Sequence, residues 1–160
     1  MSPAALLMVK KPAKASYRTV ILALDDSAPA AHAARFAAAL TPSAEHILIH
    51  ICVVVGENLL RTHGAAEEEI DGLRRTCTDE IREYLTRLAA TLTPAPKRVV
   101  IESGHPPTRL VEYCRSYNPD LAVVGTGART PVSYAFFGSI AQHIVRQSQS
   151  DVLVVPAVKD

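Results

Sequence analysis

Tryptophan is absent from this 160-residue sequence, and aromatic residues of all kinds make up only 5% of it. A surface that stacks unpaired bases needs such rings. A net charge of +1 supplies no basic footprint for a phosphate backbone either, so nucleic acid is not an expected partner. Cysteine is scarce, and Cys52, Cys77 and Cys114 are odd in number and far apart. That argues against a disulfide framework and fits reduced thiols in a cytoplasm. No apolar run approaches the length of a membrane span. The apolar patch over residues 4–9 precedes Lys10, Lys11 and Lys14, the reverse of the charge order in a secretory leader. The expectations are a cytoplasmic protein, no membrane partner, and a flexible arm over residues 1–16.

Catalytic signatures are missing as well. There is no Gly-x-x-x-x-Gly-Lys-Ser/Thr, no Gly-x-Ser-x-Gly, no His-Glu-x-x-His and no Cys-x-x-Cys. Gly125-Thr126-Gly127 begins like a dinucleotide fingerprint, but Thr130 stands where the third glycine belongs and the next helix opens only near Gly138. His46 and His50 are four apart, which on a strand is about 13 Å, too far to share one ion. They are expected to be polar or half-buried strand residues. No catalytic residue and no intrinsic metal site is expected, and Cys77 falls on an apolar stripe as a core residue.

What is present is an alternation. Residues 19–24, 47–55, 98–102, 121–124 and 151–156 are short apolar runs rich in branched side chains, without the polar alternation of a half-exposed sheet. Such runs suit strands buried on both faces. Between them lie segments of helical period. Ala33, Phe36, Ala37 and Leu40 share one face of the first, which Asp25-Asp26-Ser27 is placed to cap. Ile70, Leu73, Cys77, Ile81, Tyr84, Leu85, Leu88 and Leu92 mark a long second helix. Leu110, Val111, Cys114 and Tyr117 mark a third, and Ile140, Ala141, Ile144 and Val145 a fourth. Residues 56–66 read as a connection. Five strands and four helices predict one doubly wound, open, parallel α/β sheet with helices on both faces, over residues 17–160. A domain of this length buries roughly 70% of its unfolded surface.

Several stretches, in order, resemble the universal stress protein family. They are Val20-Ile21-Leu22-Ala23-Leu24-Asp25-Asp26-Ser27, Leu48-Ile49-His50-Ile51, Asp120-Leu121-Ala122-Val123-Val124-Gly125, Gly138-Ser139 and Val152-Leu153-Val154-Val155-Pro156. The resemblance implies a five-stranded sheet of order 3-2-1-4-5, with a ligand crevice where its first and fourth strands part. It implies ATP or AMP, with Mg²⁺, as a regulatory ligand in a stress response, and at most slow ATP hydrolysis. The alternative is a nucleotide-free dimeric signalling module. A homodimer is implied in either case, through an edge strand over residues 152–155, from Val152 to Val155.

Nucleotide-binding members carry Gly-x-x-Gly-(nine residues)-Gly-Ser/Thr. On this chain the motif falls on Gly125, Ala128, Gly138 and Ser139, with alanine in place of the second glycine and Gly127 one residue before it. The resemblance assigns phosphate and ribose contacts to Val124, Gly125, Gly127, Ala128, Arg129, Gly138, Ser139 and Ile140. Ala23, Leu24 and Asp25 would line the adenosine end, with Asp25 facing the sugar or a bound Mg²⁺. Ile51 would offer backbone contacts to adenine. If position 128 needs a left-handed backbone, alanine there costs roughly 1–2 kcal/mol.

Overall fold

The computed structural model describes residues 4–25, 27–126 and 138–157. Its described elements are β1 (Leu6–Met8), β2 (Thr19–Ala23), α1 (Ala28–Leu40), β3 (Glu45–Cys52), α2 (Glu57–Thr62), α3 (Glu67–Thr91), β4 (Arg98–Ser103), α4 (Pro106–Tyr117), β5 (Leu121–Gly125), α5 (Ser139–Gln147) and β6 (Asp151–Val155). The strands form one sheet in the order β1-β6-β5-β2-β3-β4. All neighbouring pairs are parallel except β1 with β6, which is antiparallel.

Alternate residues of the parallel strands feed two cores. Val20, Leu22, Leu48, Val123 and Leu153 pack with α1 and α3 on one face. Ile21, Ile49, Ala122, Val124, Val152 and Val154 pack with α4 and α5 on the other. Apolar side chains at both parities are what strands covered on both faces require.

The sheet has six strands rather than the expected five. Its parallel members run β4-β3-β2-β5-β6, and the added strand comes from the segment expected to be a free arm. Leu6, Leu7 and Met8 pair with Val154, Leu153 and Val152. Polar contacts then fasten the chain between β1 and β2. The Lys10 backbone N–H donates to Asp151 Oδ1 at 2.7 Å, and the Tyr17 hydroxyl donates to Asp151 Oδ2 at 2.8 Å. The Lys10 ammonium donates to the carbonyls of Val145 and Ser148 at the end of α5, where the helix leaves acceptors unpaired and its dipole favours a cation. Residues 6–10 are therefore docked, and β6 is an inner strand whose far side β1 covers from Val152 to Val154. The edge expected for pairing with a second copy is already occupied.

Three smaller expectations also change. The connection after β3 contains a helix, α2, tied to α3 by ion pairs of Arg61 and Arg74 with Glu57 and Glu67. The inner face of α1 is made of alanines: Ala30, Ala31, Ala33, Ala34, Ala37 and Ala38 are buried, while Phe36 is 39% and Leu40 55% exposed. Small side chains let the helix lie close on the sheet, which leaves no room for the larger residues of the predicted face. His46 and His50 are both buried, not half-buried. His46 Nε2 lies 2.8 Å from Thr41 Oγ1, and His50 Nδ1 donates to the Leu24 carbonyl at 3.0 Å.

Candidate functional site

β2 and β5 are parallel neighbours, with Ala23 beside Val124. From the end of β2 the chain turns into α1 on one face. From the end of β5 the crossover returns as α5 on the other. Adjacent strands whose connections leave to opposite faces open a crevice at their carboxyl ends, the switch point of an open α/β sheet. The sequence-predicted residues Ala23, Leu24, Asp25, Val124, Gly125, Gly138, Ser139 and Ile140 are brought together around it.

The β2 side is held from several directions. The Leu24 N–H donates to the Ile49 carbonyl at 2.9 Å, and the Leu24 carbonyl takes the His50 bond. Ala23 and Leu24 are buried, so their side chains belong to the core and only their backbone faces the crevice. Asp25 is exposed, and its Oδ1 accepts the Ser27 N–H at 3.0 Å and the Ser27 hydroxyl. Ser27 in turn caps α1, its Oγ accepting from Ala30 N–H at 3.2 Å, with Pro29 in the first turn. One carboxylate is thus fixed at the mouth by the turn that starts the helix.

On the β5 side α1 runs over Gly125, where a β-carbon would stand 3.7 Å from Ala30 Cα. Thr126 then ties to β6 and the residues after it: its N–H donates to the Val155 carbonyl, and its hydroxyl accepts from Ala157 N–H, both at 3.1 Å. The crossover returns to the same point. A β-carbon on Gly138 would lie 3.4 Å from the Thr126 carbonyl oxygen, so the start of α5 abuts the end of β5. Gly138 is the N-cap at φ −53°, and among the described residues no side chain caps α5 there. The first-turn N–H groups, those of Ser139, Ile140 and Ala141, have no intrahelical acceptor, and the helix dipole adds partial positive charge. That is a ready anion site. At φ −53° the position makes no demand for a left-handed backbone, and a β-carbon there would just reach van der Waals contact with the carbonyl.

Ile51, assigned to the adenine end, lies one residue before the end of β3 with its side chain in the core, leaving its backbone for contact. Beside it on β4 stands Glu102. Burial pushes the Glu102 carboxyl up, but hydrogen bonds from Tyr113 and Arg109 outweigh that and hold it below the usual carboxylate range. Gly127, Ala128 and Arg129 lie outside the described residues. Sequence reasoning missed His50 as the group that fixes the Leu24 carbonyl. Its signal was a polar residue, one of two histidines, at a buried position of a largely apolar strand. Among the described residues no group of three or more His, Cys, Asp or Glu could hold a metal ion.

A family model described as "Universal stress protein family" matches residues 16–156. No curated relative matches by sequence. Among solved structures, hypothetical protein MJ0577 aligns with TM-score 0.74 at 20% identity, over 91% of this chain and 100% of its own. A universal stress protein in complex with cAMP aligns with TM-score 0.55 at 25% identity, over 88% and 98%. A universal stress protein family protein from Arabidopsis thaliana with AMP bound aligns with TM-score 0.53 at 13% identity, over 88% and 92%.

Proposed function

The chain belongs to the universal stress protein family, and from that premise we propose that it binds an adenine nucleotide, ATP or AMP, at the β2–β5 switch point as a regulatory ligand. The observation that carries this reading is the start of α5: a helix N-terminus that no side chain of the described residues caps, returned by Gly138 against Thr126 at the mouth of the crevice. The neighbour solved with cAMP supports an adenine nucleotide as the ligand class.

In this reading the N–H groups of Ser139 and Ile140, with backbone groups of Val124 and Gly125 and with Gly127, Ala128 and Arg129, hold the phosphates. The backbone of Ala23 and Leu24 lines the adenosine end, and that of Ile51 meets adenine. Asp25 faces the sugar or a Mg²⁺ ion. Because Mg²⁺ is commonly held by one or two carboxylates plus ligand phosphates, the ion would arrive with the nucleotide. A cradle without a positioned general base supports at most slow hydrolysis. The biological setting we propose is a cytoplasmic stress response, with the protein acting as a homodimer.

The test is to denature the purified protein and assay the supernatant for released adenine nucleotide, then to titrate ATP, AMP and cAMP by calorimetry. Binding is expected in the wild type and abolished in Gly138→Val, whose added methyl groups enter the space beside Thr126, with the fold retained by circular dichroism. No released nucleotide and no heat at millimolar ligand would overturn the reading in favour of a nucleotide-free signalling module. Unchanged affinity in Gly138→Val would refute the phosphate assignment alone.

A further inference from the structure

Two cysteines come close outside the nucleotide crevice, through the side chain of one and the backbone of the other. Cys52 ends β3 and is 3% exposed, and its Sγ lies 3.5 Å from the carbonyl oxygen of Cys77 in α3. Cys77 falls on the strip of α3 that faces the sheet, in step with Ile70, Ile81, Leu85 and Leu88, and is itself only partly buried. The Cys52 sulfur thus touches the backbone of the residue whose thiol would be its partner. Rotation about one Cα–Cβ bond at each residue moves the sulfurs without moving strand or helix. Cys114 is buried on the opposite face among the residues of α4.

We infer that Cys52 and Cys77 are an oxidation site, joined by a peroxide-driven disulfide that staples the end of β3 to α3. Cys77 is the entry point, since it is the less buried residue of the two. Its thiol gives up a proton, the thiolate attacks hydrogen peroxide, the O–O bond breaks, and a sulfenic acid and hydroxide result, the hydroxide taking up the released proton as water. The Cys52 thiol then attacks the sulfenic sulfur, the S–O bond breaks, and a second water leaves as the S–S bond forms. The peroxide is reduced and the two thiols are oxidised; a dithiol reductant reverses the change by exchange. Burial pushes the Cys114 thiol up, which keeps that residue in its unreactive form. The bridge would join residues 25 apart in sequence, enclosing α2 and the exposed Val53 and Val55. It acts on the strand whose preceding residue, Ile51, closes the core beneath.

Folded wild-type protein and Cys114→Ser are exposed to hydrogen peroxide, alkylated, and digested with trypsin, which cuts between the two thiols at Arg61, Arg74 and Arg75. A Cys52–Cys77 linked peptide is expected in both proteins, in a chain that remains single on non-reducing gels and is restored by dithiothreitol. In Cys52→Ala, folded by circular dichroism, Cys77 is expected to be trapped as its dimedone adduct. Oxidation of Cys77 to sulfinic acid with Cys52 still alkylated would overturn the inference. So would a link to Cys114 or to a second chain, or a link that forms only in urea.

Discussion

Tyr17→Phe isolates the clamp behind the docked N-terminal segment. Asp151 is buried and accepts from two donors, the Lys10 N–H and the Tyr17 hydroxyl. Removing the hydroxyl leaves the carboxylate with one of them. A hydrogen bond to a charged group contributes about 1.5–3 kcal/mol, and for a domain of this size about 2–4 °C of Tm goes with each kcal/mol. The variant is therefore expected to melt roughly 3–12 °C lower near neutral pH. The pH dependence adds a second check. Burial, then the bond to Asp151, then the charges of Asp151 and Asp120 raise the Tyr17 pKa from 10.0 to about 12. The folded state holds the phenolic proton more tightly, so the stabilisation is complete below pH 10.0 and is lost as pH rises toward about 12. Tyr17 is partly exposed, so solvent screening keeps the loss below the roughly 2–3 kcal/mol that 1.36 kcal/mol per unit would give. Urea unfolding of both proteins from neutral to alkaline pH reads the difference directly, with lysine titration common to the two. A gap below about 0.5 kcal/mol at neutral pH, or one that stays constant through the alkaline range, would refute the clamp.

Two other perturbations probe the sheet edge and the buried histidine. Deleting residues 1–10 bares β6 from Val152 to Val154, an apolar edge that invites pairing; light scattering should show stronger self-association than in the full chain, and equal masses at all concentrations would refute the role of β1 as a cover. His46 is fully buried and its pKa is lowered from 6.5 by burial. The unfolded chain takes up that proton first as pH falls, so stability present above pH 6.5 is lost below it. His46→Gln should flatten this acid slope in urea midpoints, and an unchanged slope would assign it to other groups.

The layout of the sheet is legible in the sequence because its strands carry apolar residues at both parities and its helices carry a stripe. Periodicity and the family resemblance together place β2 beside β5, and with them the crevice. What stays hidden has physical reasons. β1 is three residues long, and its pairing depends on Asp151 and on carbonyls at the end of α5, partners more than 130 residues away that local pattern does not register. α2 is stabilised by Arg74 of the next helix as much as by its own sequence. The buried face of α1 escapes a hydrophobicity ranking, which puts Phe36 and Leu40 above alanine, whereas closeness to the sheet selects alanine. At the site, Gly125 and Gly138 stand out from spacing alone. The role of His50 comes from its bond to a carbonyl just past the end of the neighbouring strand, which sequence does not encode locally.

The fastening of Lys10 to Asp151 spans 141 positions, and this bears on when the molecule can finish folding. A segment made early in synthesis has its docking site on the last strand of the sheet. Until β6 is available, residues 6–10 have nothing to pair with, while β2, β3 and β5 can already assemble. Contacts of such long separation bear the largest chain-closure entropy and form late. Sheet closure at this edge therefore acts as a completion step, made only by a chain that already carries both β1 and β6.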